Sequence, residues 1–535
     1  MQIAGRLAGA PLVLVLTALV MAGCGGADAP EPNPQVEPDP RFGQQPNIVF
    51  ILTDDQDYAS YNLETMPLTH RLLGDEGITF TNHVDTTPLC CPSRAAYQSG
   101  QYGHNNGVLN NKPGYANLED KDNLLPVWLQ RAGYSTAYVG KFMNGYDAYV
   151  DDKDDVAPGW NRWSVLSGNA LGYRNFTLAV DGKQRKEVYE DRYMTDVLSR
   201  RAVDLVGELS GPKPFYLQLG QLAPHVENLN ADSGGPCGGD AVPPPRDLGR
   251  FAGAPLTNQP AIDEADVSDK PEIVSQQPLL DAAKLEQIRA RYQCRLETLP
   301  AVDRGIADLV AALRQAGELD DTIIAYASDN GNFHGQHRLP GGKGLAYEEA
   351  AHVPFVARVP PAFRGGGEAG IEVSQPTANI DYVPTIVDWA GAQTCPQAGE
   401  CRVMDGRSLL PLITGSERAW PQQRPILTEL DIGKEQLQSG RGISCHYEGV
   451  RQGRWLYLRH TSLPDLSTGI CAETEAVELY DHENDPFELD NLTAVASGSR
   501  VAATQQRLAR LTDELSDCAG IEGRDPEPAS GSYCK

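Results

Sequence analysis

Short, unbroken apolar runs alternate with stretches of helical periodicity along most of this chain. The first run, residues 47–52, reads Asn-Ile-Val-Phe-Ile-Leu, the pattern of a strand buried on both faces. Similar runs recur at 136–140, 215–220, 322–327 and 353–359, and helical patterns lie between them at 124–132, 191–209 and 279–316. Strands alternating with helices predict an α/β fold, a large and mostly parallel sheet sandwiched by helices. After Leu412 the rhythm changes. Short runs at 425–430, 442–450, 454–460 and 476–480 are joined by turns. An amphipathic stretch at 501–515 follows, with Leu508, Leu511 and Leu515 on one face. This predicts a smaller C-terminal antiparallel sheet with a helix. Residues 228–277 fit neither rhythm: they are rich in Gly and Pro and carry Cys237. They are expected to form an ordered, disulfide-stapled loop on the rim of a site.

These patterns divide the chain. Residues 1–24 read as an export signal, with Arg6, an apolar run at 12–21 and the small-residue end Met21-Ala22-Gly23-Cys24. That end resembles a bacterial lipobox, in which Cys24 would be lipidated and the protein held in the cell envelope as a lipoprotein. Residues 25–45, rich in Pro and acidic residues, read as a disordered tether. Residues 46–420 form the large domain and 421–535 a C-terminal α+β subdomain. The 535-residue chain carries a formal charge of −27, which argues against a nucleic-acid partner but not against an anionic substrate met by a local basic cluster. Setting aside Cys24, Cys90 and Cys91, eight of the 11 cysteines remain. An even set in an exported protein reads as four disulfides, and their order suggests the nearest-neighbour pairs 237–294, 395–401, 445–471 and 518–534 among 105 possible connectivities.

The candidate chemistry clusters after predicted strands. Asp54-Asp55 follows the first run and Ser328-Asp329-Asn330-Gly331 follows the run at 322–327. Adjacent carboxylates at the carboxyl ends of parallel strands need a cation or many donors between them. Carboxylate and amide oxygens suit a hard ion, Ca²⁺ or Mg²⁺. Lys141 and His225 also follow strand runs, and Lys343 lies in Gly342-Lys343-Gly344. Between the first two strands stands Leu89-Cys90-Cys91-Pro92-Ser93-Arg94. Pro92 suits the first turn of a helix, so Cys90 is expected just before that helix, beside its exposed amides and one turn from Arg94. The segment reads as a nucleophile beside a fixed positive charge, or alternatively as two buried apolar cysteines.

Cys-x-Pro-Ser-Arg followed by a small-residue helix and Gly100 resembles the signature of the formylglycine-dependent sulfatases of the alkaline phosphatase superfamily. The resemblance extends over roughly 46–492. It implies an alkaline phosphatase-like fold and a sulfuric ester hydrolase acting on a sulfated sugar or aryl sulfate. It further implies that Cys90 is oxidised to formylglycine by a formylglycine-generating enzyme, and that one Ca²⁺ is bound by Asp54, Asp55, Asp329 and Asn330 and touched by residue 90. Arg94, Lys141, His225 and Lys343 then surround the sulfate. The aldehyde hydrate attacks sulfur, His225 or Lys343 assists the leaving oxygen, and loss of a proton from the second hydroxyl releases sulfate. Many members place a histidine two residues after the first lysine for that last step, where this chain has Met143. His104, His334 and His337 stand as candidate replacements. Lys141-Phe142-Met143-Asn144 and Tyr102-Gly103-His104-Asn105 resemble the glucosamine-6-sulfatase and heparan endosulfatase branch most. The alternatives are a phosphonate or phosphate ester hydrolase with the same formylglycine, or a catalytically silent carbohydrate-binding homologue.

Overall fold

The computed structural model describes residues 44–149, 156–168, 172–182, 185–227, 237, 240–257, 260–395, 401–433, 444–465, 467–494, 500–528 and 531–535. The signal segment, Cys24 and all but the last residues of the tether lie outside them.

Ten strands make one mixed sheet. In chain order, β1 (Asn47–Asp54) is followed by β2 (Ile78–Phe80), with β3 (His83–Val84) pairing elsewhere. β4 (Ser135–Gly140), β5 (Arg162–Leu166), β6 (Phe176–Val180), β7 (Lys186–Tyr189) and β8 (Phe215–Pro224) follow. β9 (Thr322–Ser328), β10 (Phe355–Arg358) and β11 (Ile371–Val373) complete the sheet, and β12 (Thr377–Ala378) pairs with β3. The order is β11-β2-β10-β9-β1-β8-β4-β5-β6-β7. The central five, β9-β1-β8-β4-β5, are all parallel. The run at 353–359 does form a strand, but β10 lies antiparallel to both of its neighbours. Apolar content reports burial and carries no direction. The short hairpin strands β5 and β7 are broken by polar residues, and β7 is half exposed, which hides them in the sequence; β6 is largely apolar and buried.

Every residue of β1, β8 and β9 is buried, as continuous apolar runs require. Ile48, Phe50 and Leu52 of β1 face one core, shared with Tyr97, Trp128 and Ile386. Val49 and Ile51 face the other, shared with Leu198, Leu309 and Leu313. Helices Cys90–Ser99, Leu125–Arg131 and Tyr382–Ala390 thus cover one face, and Met194–Leu209 and the 35-residue Ala282–Ala316 the other.

The C-terminal sheet is a four-stranded antiparallel meander of β13 (Ile426–Asp431), β14 (His446–Gln452), β15 (Trp455–Pro464) and β16 (Cys471–Asp481). Leu430, Tyr447, Leu456 and Tyr480 pack on Leu89, Phe333, Leu345 and Tyr347, the segments beyond the strand ends of the large sheet. The other face takes Leu508, Leu511 and Leu515 of helix Arg500–Leu515. Disulfides join Cys237–Cys294, Cys395–Cys401, Cys445–Cys471 and Cys518–Cys534, while Cys90 and Cys91 are free.

Candidate active site

Strand register assembles the site. Thr53 of β1 pairs with Ser328 of β9, so Asp54-Asp55 and Asp329-Asn330 leave the sheet side by side. On the other flank Asp54 aligns with Pro224 of β8, the residue before His225. Gly140 of β4 aligns with Gly220, the next step along the same edge, and the Lys141 amide donates to the Gly220 carbonyl at 2.8 Å. Gly140 sits at φ +101°, and a Cβ there would strike the Gly220 carbonyl. Four neighbouring parallel strands therefore deliver six functional side chains to one edge, where open α/β sheets place their ligands.

Helix Cys90–Ser99 enters the same space, wholly buried and starting at Cys90 itself, with Pro92 in its first turn. The Cys90 thiol lies 3.6 Å from Asp54 Oδ1, 3.5 Å from Lys141 Nζ and 2.8 Å from Lys343 Nζ. Burial, with Asp54 beside it, pushes this thiol up to about 12. At neutral pH it is a neutral thiol and not an activated thiolate.

The Arg94 guanidinium is committed to protein groups. Nε donates to Asp329 Oδ2 at 2.7 Å, Nη2 to Asp54 Oδ2 at 3.0 Å and Nη1 to the Lys141 carbonyl at 2.7 Å. In this geometry Arg94 fixes the carboxylates, where the sequence pointed to direct anion contact. Lys141 pairs with Asp54, and Lys343 with Asp55. Burial raises the Asp54 carboxyl, but Lys141, His225 and Arg94 outweigh it and hold it well below its usual range. Asp55 is held at about 2 against burial by Lys343 and His225. Burial and the neighbouring Asp54 carry Asp329 up to about 6.

Asp55 adopts φ +64°. Its carboxylate accepts from Asn330 Nδ2 at 2.7 Å and its amide donates to Asp329 Oδ1 at 3.3 Å. Asn330 Oδ1 is buried with no hydrogen-bond partner. An orphaned amide oxygen beside three carboxylates is a donor set that fits a hard divalent cation. Cys90 and His225 reach the same point: ligand atoms of Asp54, Asp55, Cys90 and His225 lie within 4.8 Å of one another. His225 Nδ1 faces the Val226 carbonyl at 2.7 Å. A carbonyl only accepts, so Nδ1 carries the proton and Nε2, 3.8 Å from Asp55 Oδ2 and 3.9 Å from Asp54 Oδ1, is the basic atom of the neutral ring. Burial keeps that ring neutral, moving it down to about 4.

The three other histidines are engaged elsewhere. His104 faces Glu429 at 3.0 Å and the Cys518 carbonyl at 3.0 Å. His334 lies 3.2 Å from Asp57, and His337 2.7 Å from Glu264. Sequence reasoning missed Arg295. From helix Ala282–Ala316 its Nη1 lies 3.8 Å from Asp55 Oδ2, while its Nε is held by Asp240 at 2.8 Å. Its one sequence signal is its place beside Cys294, whose disulfide to Cys237 staples the loop that carries Asp240.

Residues 46–392, more than half the chain, match the family model described as Sulfatase. The chain belongs to the sulfatase family. It is a sulfuric ester hydrolase of the alkaline phosphatase superfamily, and members of this family generally use formylglycine and a metal ion. Residues 335–515 of the sulfatase match the model described as N-sulphoglucosamine sulphohydrolase, C-terminal. It is 35% identical over 509 residues to an arylsulfatase of Volvox carteri, covering 90% of this chain and 76% of that one. To the N-acetylglucosamine-6-sulfatase of Homo sapiens it is 32% identical over 527 residues, covering 90% and 86%. Among solved structures, one described in complex with its substrate D-glucosamine-2-N,6-O-disulfate superposes with a TM-score of 0.69 at 23% identity, over 88% of this sulfatase and 97% of that chain. The phosphonate monoester hydrolase of Agrobacterium radiobacter superposes at 0.65 and 20% identity, over 92% and 100%.

Proposed function

We propose that this sulfatase hydrolyses a sulfate monoester of a sulfated amino sugar, using formylglycine derived from Cys90 beside one calcium ion held by Asp54, Asp55, Asp329 and Asn330. One observation carries the reading: a buried residue 90 within 2.8–3.6 Å of Lys343, Lys141 and Asp54, next to an all-oxygen donor set with an orphaned amide oxygen. The amino-sugar class rests on the likeness to the human N-acetylglucosamine-6-sulfatase and on the substrate of the glucosamine-disulfate complex.

Formylglycine supplies a hydrated aldehyde, with one hydroxyl to attack sulfur and a second whose deprotonation expels the product. Calcium supplies charge neutralisation and Lewis acidity. The chain's own residues do the rest. Arg94 locks Asp54 and Asp329 in place. Lys141 and Lys343, both held cationic by the surrounding carboxylates, stabilise charge as it develops on the sulfuryl oxygens. Lys343, held as the ammonium, donates the proton that the leaving oxygen takes up, and His225, whose Nε2 is unprotonated, can only accept one. His104, His334 and His337 are committed to Glu429, Asp57 and Glu264, so the proton lost at product release goes to a group of the strand-end cluster.

Paired aryl sulfate and aryl phosphonate esters test the reaction class, and 6-sulfated N-acetylglucosamine tests the sugar. Turnover of both sulfates above the phosphonate is expected; a clear preference for the phosphonate would favour the hydrolase seen in the Agrobacterium fold relative. The mass of the peptide spanning Cys90 reports conversion to formylglycine. An active preparation carrying only unmodified cysteine would end the assignment.

A further inference from the structure

A second buried cluster lies where the large sheet meets the C-terminal sheet. The loop that carries Lys343 first passes through His337, which is fully buried. His337 Nδ1 faces Glu264 Oε2 at 2.7 Å. A carboxylate in that position accepts from the Nδ1 proton; against burial, Glu264 and Glu349 together lift the ring to about 9, so a metal at Nε2 displaces a proton. Nε2 has no hydrogen-bond partner and lies 3.7 Å from Glu349 Oε2. Glu488, in the turn region after β16, is also fully buried. Its Oε2 accepts from the Glu348 amide at 3.0 Å and its Oε1 faces His482 Nε2 at 2.9 Å. Ligand atoms of His337, Glu349 and Glu488 all lie within 4.8 Å of one another.

Carboxylates crowd this point, and histidines face most of them. Five carboxylates, Glu264, Asp269, Glu348, Glu349 and Glu488, meet two fixed cations. Lys270 is 3.2 Å from Glu264 and 3.5 Å from Asp269, and Arg451 is 2.5 Å from Glu348. The remaining titratable groups are His337, His352, 2.7 Å from Glu348, and His482. Glu264, Glu349 and Glu488 are the buried ones, and buried carboxylates are costly unless a cation joins them, which a metal ion or a protonated His337 supplies.

We infer that His337, Glu349 and Glu488 bind one divalent transition-metal ion, with Zn²⁺ the fitting occupant, at a structural site distinct from the calcium position. An imidazole nitrogen, with no amide oxygen in the set, favours zinc over calcium. Tetrahedral zinc with bonds of about 2.1 Å sets its ligands about 3.4 Å apart, close to the 3.7 Å between His337 and Glu349. Glu264 stands in the outer shell, where metal-bound histidines find their carboxylate. The site ties three segments together: the loop bearing Lys343, the helix Glu348–Ala351 that abuts Gly331, and the chain after β16. It acts as a brace for the active site and takes no part in catalysis. The inference does not depend on the substrate proposed above.

The test is metal analysis of the full-length protein, produced with zinc in the medium and dialysed against excess calcium. About one zinc per chain is expected for the wild type, and under a tenth of that for His337→Gln and for Glu349→Gln. Stripping the zinc with a strong chelator should lower the unfolding midpoint of the wild type to that of the variants. Should the variants fail to fold, wild-type chain produced with cobalt reads the same site, because four-coordinate Co²⁺ bound to nitrogen and oxygen absorbs far more strongly in the visible than the aqueous ion. A wild-type chain that purifies without zinc and takes up no cobalt, or a variant that keeps its zinc, overturns the inference. The first of these results identifies His337 instead as an imidazolium shared by Glu264 and Glu349.

Discussion

The strand-end cluster and the seam cluster share one stretch of chain, residues 330–349, yet are charged on opposite plans. At the strand ends Asp54, Asp55 and Asp329 meet Arg94, Lys141, Lys343 and Arg295. At the seam five carboxylates meet Lys270 and Arg451. The carboxylates and Lys141 of the first set hang from neighbouring strands whose register fixes them. The second comes from a loop, a four-residue helix and the chain beyond β16. With the proposed calcium added, the strand-end cluster is strongly cation-rich and suits a visiting anion, whereas the seam cluster has carboxylates enough to hold a cation of its own. Charge balance thus distinguishes a place for turnover from a place for bracing, although both are buried.

The comparison can be broken or sharpened at named residues. Cys90→Ala should lower kcat on an aryl sulfate by at least about a thousand-fold with an unchanged circular dichroism spectrum; near-wild-type turnover would refute the assignment of residue 90. Arg94→Lys keeps the charge but loses the fork that holds Asp54 and Asp329 together. It should cost about 3 kcal/mol in urea unfolding, along with most activity. Gly331 lies between the two clusters, and a Cβ there would strike the Glu349 carbonyl. Gly331→Ala should therefore cost about 2 kcal/mol and reduce kcat together with stability; a stability loss at full kcat would show the clusters to be uncoupled. Arg295→Gln removes a cation that reaches Asp55 only at 3.8 Å. It is expected to lower kcat/KM about tenfold and, because it also leaves Asp240 without its cation, to lower the unfolding midpoint.

The smallest effect concerns pH. Burial opposes the charge on His104, but Glu429 overrides it and lifts the ring to about 9. Its contribution to stability is present below the unfolded value near 6.5 and is lost as pH rises through about 9. His104→Gln should flatten that part of the stability profile, by about 2 °C in the unfolding midpoint. An unchanged profile would remove the Glu429 pair from the account.

What could be read from the sequence follows the same division. Asp54, Lys141, His225 and Asp329 each follow a buried apolar run, and parallel strands bring their carboxyl ends to one edge, so their meeting was legible without coordinates. The histidines were not. His104 finds Glu429 of β13 at a separation of 325 residues and His337 finds Glu264 at 73, and no periodicity signals either partner. Arg295 was hidden because a buried arginine on a long helix follows the same pattern as its packing neighbours, while its partner Asp240 lies in the Gly/Pro-rich loop. Arg94 was legible as a residue of the site but not in its bonding, because only the fold reveals that its donors are already taken.

The burial of helix Cys90–Ser99, every residue of it enclosed and Cys90 only 2% exposed, sets a timetable for the living cell. A maturing enzyme must grip the segment around its target thiol, and the finished fold offers it nothing to grip. Under the proposed function, oxidation of Cys90 belongs to the extended chain, ahead of sheet closure. A chain that folds too soon is locked out of maturation, stable and inert, so the yield of active sulfatase becomes a race between folding and modification rather than a property of the folded state.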